Sequence, residues 1–195
     1  MKCPAFSFGW KDFSDERLMT RIAAGADERA FGVLYRRYAG CLQRFFLRMF
    51  PGEEALADDL VQETFLRLWA ARRSYGEGRA VRPWIFTVAY NLGRNEWRRR
   101  GKVLAYAEEA LHLSDEAYEE LPEVRLDAAD FDRALARELA LLSTERRVLF
   151  ALRFEEELTV REVAEALCIP EGTAKSRLHT LVYELREKLK QYEKL

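Results

Sequence analysis

Arg94–Lys102 holds five bases (Arg94, Arg98, Arg99, Arg100, Lys102) and a single acid, Glu96. The run follows Trp84, Phe86, Tyr90 and Asn91, and it encloses Asn95 and Trp97. Guanidinium and ammonium groups track phosphates, amides bond base edges, and aromatic rings stack on extruded bases. That mixture suits single-stranded or melted DNA. Taken alone it also describes cations gathered at a helix C-terminus, where the macrodipole favours them.

Two further stretches carry chemistry. From Thr159 to Tyr183 a short capped helix, a tight turn and a second amphipathic helix spell a helix-turn-helix. Its second helix turns leucines inward, which leaves Glu171, Gly172, Thr173, Lys175, Ser176, Arg177 and His179 for the outer face. The first half of such a helix meets base edges and phosphates; an ordinary helical hairpin with a solvated face would have the same spacing. The other stretch is Asp58–Trp69. With Leu60, Thr64, Phe65 and Leu68 inward, Asp59, Gln62, Glu63, Leu66 and Trp69 fall on the opposite side. A leucine and a tryptophan among charges on a solvent face suit a protein-binding patch.

Catalysis finds little support. No nucleophile stands beside a base, there is no glycine-rich phosphate loop, and neither His112 nor His179 has partners at metal-ligand spacing. The expectation is no catalytic residue, no metal and no cofactor. Asp58, Asp59 and Glu63 keep open a divalent-ion nuclease, which Asp59→Asn would abolish, beside the plainer reading of a charged helix face.

The elements that must position these groups are helical. Apolar residues recur at helical spacing through the 195 residues, with few prolines and glycines and 49% hydrophobic residues. Helices are expected from Ser14 to Gly25, from Asp27 to Pro51, from about Glu53 to Arg73 and from about Arg82 to Arg100, the last with Pro83 in its first turn. Ala107–Asp132 then carries a net charge of −9 and reads as a solvated linker. Beyond it come helices built on Leu135–Leu142, on Ser143–Leu152, on the capping box Thr159–Glu162 and on Ala174–Leu189. The fold class is all-α: an N-terminal four-helix domain over 1–104, an acidic flexible linker over 105–132, and a C-terminal helix-turn-helix domain over 133–195. Three scattered cysteines, no apolar stretch near the ~20 residues of a membrane span, and no leader-like pattern at Met1–Asp12 lead to an expectation of a cytoplasmic home without membrane insertion.

The order of the motifs is specific. "FGVLYRRY", "DLVQETFLRLW", "RPWIFTVAYNLGRNEWRRR" and "LSTERRVLFALRF…LTVREVAEALCIPEGTAKSRLHTL" together resemble the extracytoplasmic-function (ECF) group of bacterial sigma factors. The resemblance spans roughly Phe31–Lys102 and Leu135–Lys190. It implies that Asp59, Gln62, Glu63, Leu66 and Trp69 bind core RNA polymerase. It implies that Trp84, Asn91, Arg94, Asn95, Arg98, Arg99 and Arg100 serve the minus-10 promoter element, and the outer face from Glu171 to His179 the minus-35 element. It also implies an anti-sigma partner and a linker that threads near the polymerase channel. A helix-turn-helix dimer acting alone, or an adaptor that binds polymerase without initiating, are the competing readings. Three departures from the family pattern stand out: Cys168 in place of a turn glycine, Ala174 in place of a valine, and a less basic Thr180–Tyr183. A left-handed backbone is expected at Cys168, as a tolerated substitution rather than a thiol sensor.

Overall fold

The computed structural model describes residues 13–76, 78–100 and 128–190. These residues contain helices and turns and no strand, and among them no helix is long and apolar enough to cross a membrane. The chain divides into two compact units at Asn95/Glu96. The acidic stretch 105–127 lies outside the described residues, and the first helix of the second unit begins at Ala128, inside the segment read as linker.

In the first unit, α1 (Asp15–Gly25) starts under Ser14, whose hydroxyl accepts from the Arg17 N–H at 3.3 Å. The helix ends at Gly25 as expected, and the residue that caps it, Ala26, is left-handed (φ 53°). Asp27 then caps α2 (Glu28–Met49) through the Ala30 N–H at 3.0 Å. That hydrogen bond, opposed by desolvation and aided by Arg21, holds the Asp27 carboxyl below its ordinary range. The Asp15 carboxylate accepts from both Arg37 and Tyr38, which pins α1 on α2; burial and that bond push the Tyr38 phenol far up.

α3 (Glu54–Ala71) buries Ala57, Leu60, Val61, Thr64, Phe65 and Leu68, a broader stripe than the sequence pattern suggested. Thr64 fits because its hydroxyl donates to the Leu60 carbonyl at 2.7 Å. A 3₁₀ turn, Arg72–Ser74, leads to α4 (Val81–Arg99). The first N–H of α4 is met from another helix: Glu16 Oε1 accepts from Val81 N at 3.4 Å. Phe86 packs edge-to-face on Phe45 with centroids 5.3 Å apart. Gly93 lies so near Met49 that a Cβ there would sit 2.4 Å from the thioether methyl. Glycine therefore lets α2 and α4 close together.

The second unit comprises α5 (Ala128–Leu141), α6 (Thr144–Phe150), α7 (Val160–Leu167) and α8 (Glu171–Leu189). A π turn, Ala151–Glu155, prolongs α6 and closes with Glu156 N donating to Ala151 O at 2.8 Å; Leu158 N then donates to Leu152 O at 3.0 Å. The side chain of Arg146 grips Glu184 with two bonds of 2.7 and 2.6 Å, tying α6 to α8. Lys188 pairs with Glu138 at 3.0 Å, tying α8 to α5. The capping box forms as read: Thr159 Oγ1 accepts from Glu162 N, and Glu162 accepts from Thr159 N.

Ala26 and Cys168 both hold left-handed backbone (φ 53° and 56°), a conformation that costs a side-chain-bearing residue about 1 kcal/mol or more. Ala26→Gly and Cys168→Gly are each expected to raise stability by up to about 1 kcal/mol, less the added chain entropy of glycine. Urea denaturation of the full chain would read this; a lowered midpoint would contradict it.

Candidate nucleic-acid interface

α8 buries Ala174, Leu178, Leu181, Leu185 and Leu189. Burial of that stripe fixes which side chains face out. Glu171, Gly172, Lys175, Ser176 and Arg177 are exposed, and Thr173 and His179 are half-buried at the flank. The preceding turn is set by Cys168, whose N–H donates to the Glu165 carbonyl at 3.1 Å while Ile169 N donates to Ala164 O at 3.0 Å. Pro170 caps α8 without a side-chain bond. Ala164 and Ala174, both buried, permit the close crossing of α7 and α8. Glu145 on α6 is pushed up by burial and pulled back by the Arg177 charge; α6 thus contributes an acid facing the base-bearing helix, which the sequence pattern did not reveal.

On α4 the sequence set separates into two groups. Asn91, Arg94, Asn95 and Arg98 follow one another at helical spacing, with Asn95 and Arg98 exposed and Asn91 and Arg94 half-buried. Arg99 and Arg100 are also exposed, and both hold Glu96. Trp84 stands apart. Its ring is buried and lies 5.3 Å from that of Tyr75. Trp97 and Tyr90 are buried too. Phe86, Tyr90 and Trp97 thus form the inner side of this helix and the amides and guanidinium groups its outer side, whereas Trp84, two turns before Asn91 on the same face, is buried at the helix's first turns. The loop before α4 is latched by the Tyr75 hydroxyl, which donates to the Arg79 carbonyl.

A third surface lies on α2 and α3. Phe31, Tyr35, Gln62, Phe65, Leu66 and Trp69 line an open cleft of about 300 Å³. Phe31 meets Trp69 edge-to-face at 4.9 Å, and Tyr35 stacks against Phe65 at 4.6 Å. Arg72 covers the outer face of Trp69 at 4.6 Å and donates to the Trp69 carbonyl at 2.6 Å. Leu66 is 64% exposed on the rim, a large apolar side chain with no cover. Asp59 and Gln62 are exposed beside it, and Glu63 pairs with Arg67 at 2.8 Å. Phe31 and Tyr35 are the members the sequence reading missed. Both follow the α2 core stripe in spacing, and only the three-dimensional offset between α2 and α3 turns them to the cleft. The acidic cluster does not converge: Gln43 donates to Asp58 at 2.8 Å, and among the described residues no three His, Cys, Asp or Glu gather as a metal would require.

Residues 34–103 match the family model for Sigma-70 region 2, and residues 132–180 that for Sigma-70, region 4. The ECF RNA polymerase sigma factor SigL of Mycobacterium tuberculosis is 37% identical over 172 residues, which cover 86% of this chain and 94% of that protein. The RNA polymerase sigma factor CarQ of Myxococcus xanthus is 33% identical over 178 residues, 90% of this chain and 97% of that one. Among solved structures, CnrH in complex with the cytosolic domain of CnrY superposes with a TM-score of 0.63 at 25% identity, covering 91% of this chain and 97% of that one. The sigma factor RpoE of Bartonella quintana, in complex with the anti-sigma factor NepR, gives 0.57 at 26% identity, with 82% and 96% covered.

The Glu96 carboxyl is held down at about 2, chiefly by the Arg99 hydrogen bond against desolvation, with Arg100 adding to it. A depressed carboxyl contributes stability that is fully present above the unfolded value near 4.5 and is lost as pH falls through about 2. An NMR titration of the Glu96 side-chain carboxyl should find its midpoint near 2; a midpoint near 4.5 would mean that the pair does not persist in solution.

Proposed function

Because the chain belongs to the ECF group of the sigma-70 family of RNA polymerase sigma factors, we propose that its three surfaces divide the work of promoter-directed initiation. The protein is a transcription initiation factor that binds core RNA polymerase and directs it to promoters. In the proposed division, Asp59, Gln62, Glu63, Leu66 and Trp69, joined by Phe31 and Tyr35, dock on the polymerase. A half-open aromatic cleft with an uncovered leucine gains most by being buried against a partner. Asn91, Arg94, Asn95 and Arg98, followed by Arg99 and Arg100, meet the minus-10 element, the amides reading bases and the guanidinium groups the backbone. Trp84 serves this site from inside, by holding the loop before α4 through Tyr75. Glu171 to His179 meet the minus-35 element in duplex form, as the exposed first half of a recognition helix does.

The observation that carries the reading is the two-sidedness of α4. Its aromatic residues are spent on the core, while its amides and arginines line one outer stripe that ends in a cationic cluster. An ordinary helix end needs cations but not asparagines one turn apart. The protein lends specificity and performs no chemistry of its own, acts in the cytoplasm beside the polymerase, and is regulated by an anti-sigma factor, a reading supported by the assembly of RpoE with the anti-sigma factor NepR.

Run-off transcription with bacterial core polymerase on a promoter library tests the whole. Protein-dependent initiation at a shared two-element motif is expected; its absence, with tight duplex binding by the protein alone, would favour a helix-turn-helix regulator instead. Two variants test the parts. Leu66→Lys should weaken binding to core polymerase at least tenfold while leaving the thermal midpoint nearly unchanged, because the side chain is 64% exposed. Lys175→Ala should weaken minus-35 binding alike across sequences and reduce the salt slope by about one, as a phosphate contact does; loss at a single base position would assign it to base readout.

A further inference from the structure

Glu96 is an acid within a DNA-facing cationic run, and it is only 9% exposed. Both of its oxygens are engaged. Oε2 accepts from Arg99 Nε at 2.7 Å, and Oε1 accepts from Arg99 Nη2 at 2.8 Å and from Arg100 Nε at 2.5 Å. The partners lie three and four residues on, the two spacings that a helix brings together. One carboxylate therefore holds two guanidinium groups. The fork consumes only the Nε–Nη2 edge of Arg99, whose side chain remains 74% exposed. Its Nη1 donors are left for a ligand.

We propose that Glu96 is a positioning residue for promoter recognition: its carboxylate fixes Arg99 and Arg100 in one orientation, so that the Nη1 donors of Arg99 are already aimed at the DNA backbone. The inference rests on the assignment of α4 to the minus-10 element. A surface that worked by charge alone would do better without this acid, since each negative group lowers attraction to phosphate. What the acid supplies is order. A free arginine loses rotamer freedom on binding, whereas a guanidinium already held in a fork does not. Arg98, one residue before the pair, has no ion-pair partner among the described residues and sits outside this arrangement. A mask over the arginines would use the same contacts but predicts the opposite effect on selectivity, so the two are separable.

The experiment compares wild type with Glu96→Gln, Glu96→Asp and Arg99→Lys, each assembled with core polymerase. Selectivity is read as the enrichment of minus-10 sequences among templates that initiate from a randomised promoter library. Bare affinity is read from binding of the free protein to an oligo(dT) strand across a salt series, and the unfolding midpoint is recorded for every variant. Glu96→Gln should bind oligo(dT) several-fold more tightly, because net charge rises by one, yet lose about tenfold in enrichment. Arg99→Lys, which keeps the charge but cannot form the fork, should lose similar enrichment with oligo(dT) affinity unchanged. Glu96→Asp should recover part of the loss. Wild-type enrichment in Glu96→Gln would overturn the proposal, and increased enrichment would assign the acid to masking. A loss that follows the unfolding midpoint and is absent from Arg99→Lys would assign it to helix stability alone. Failure of the wild type to initiate would overturn the promoter reading and this inference with it.

Discussion

An α-helix leaves its first N–H groups and last carbonyls without internal partners, and a chain built of short helices must answer many such groups with side chains. The solutions here are varied, and the architecture follows from them. Ser14, Asp27 and Thr159 cap their own helices. α4 is capped from elsewhere, by Glu16 of α1. The neighbouring Asp15 meanwhile grips α2 through Arg37 and Tyr38. The two acids at the start of α1 thus brace two other helices, and a helix of eleven residues sets the position of the one that carries the residues proposed for the minus-10 element. At its other end α4 answers the dipole with arginines, and Glu96 distributes them.

Charge is local here. The chain as a whole has a formal net charge of −1, so long-range attraction to DNA is not available from the global balance. Clusters must do the work at short range, inside a Debye length of about 8–10 Å. Under that condition the orientation of each guanidinium matters more than its number. Arg177 faces a partly buried acid, Glu145, on α6, and Arg99 and Arg100 face Glu96. In both surfaces a base is accompanied by an acid from the protein itself. On the proposed DNA-binding surfaces, that pairing would lower bare affinity for DNA and leave the polymerase to supply the rest.

The fold was legible because apolar spacing, caps and breakers agreed. Ser14, Asp27, the Thr159 capping box, Pro83 in the first turn and the α8 leucines all fell where the pattern put them. The left-handed backbone at Cys168 was legible as well, from the family resemblance, which implies a turn glycine at that position. Two features were not. The π turn after α6 depends on Glu156 N reaching back to the Ala151 carbonyl, a contact that no periodicity announces. α5 starts at Ala128 within an acidic stretch, since composition says nothing of where helix overtakes charge. In the sites, spacing found the outward stripes but not what crosses between helices: Phe31 and Tyr35 in the cleft, and Glu145 opposite Arg177.

Trp84 shows why a residue type alone is a poor guide to role. A tryptophan beside asparagines and arginines invites a stacking function, yet this ring is in the core against Tyr75, and Tyr75 in turn latches the loop through the Arg79 carbonyl. Burying an indole stabilises far more than exposing it to a transient base would, and a fixed inner ring keeps the outer amides in register. On α3 the balance runs the other way. Trp69 is only half-buried, and its outer face is shielded by Arg72 rather than by core. A guanidinium over a ring can slide aside at a cost of about 0.5–1 kcal/mol, whereas repacking a core ring costs several. In the proposed division of surfaces, the aromatic residue that meets a partner is therefore covered by a displaceable charge, and the one that holds a loop is covered by another ring.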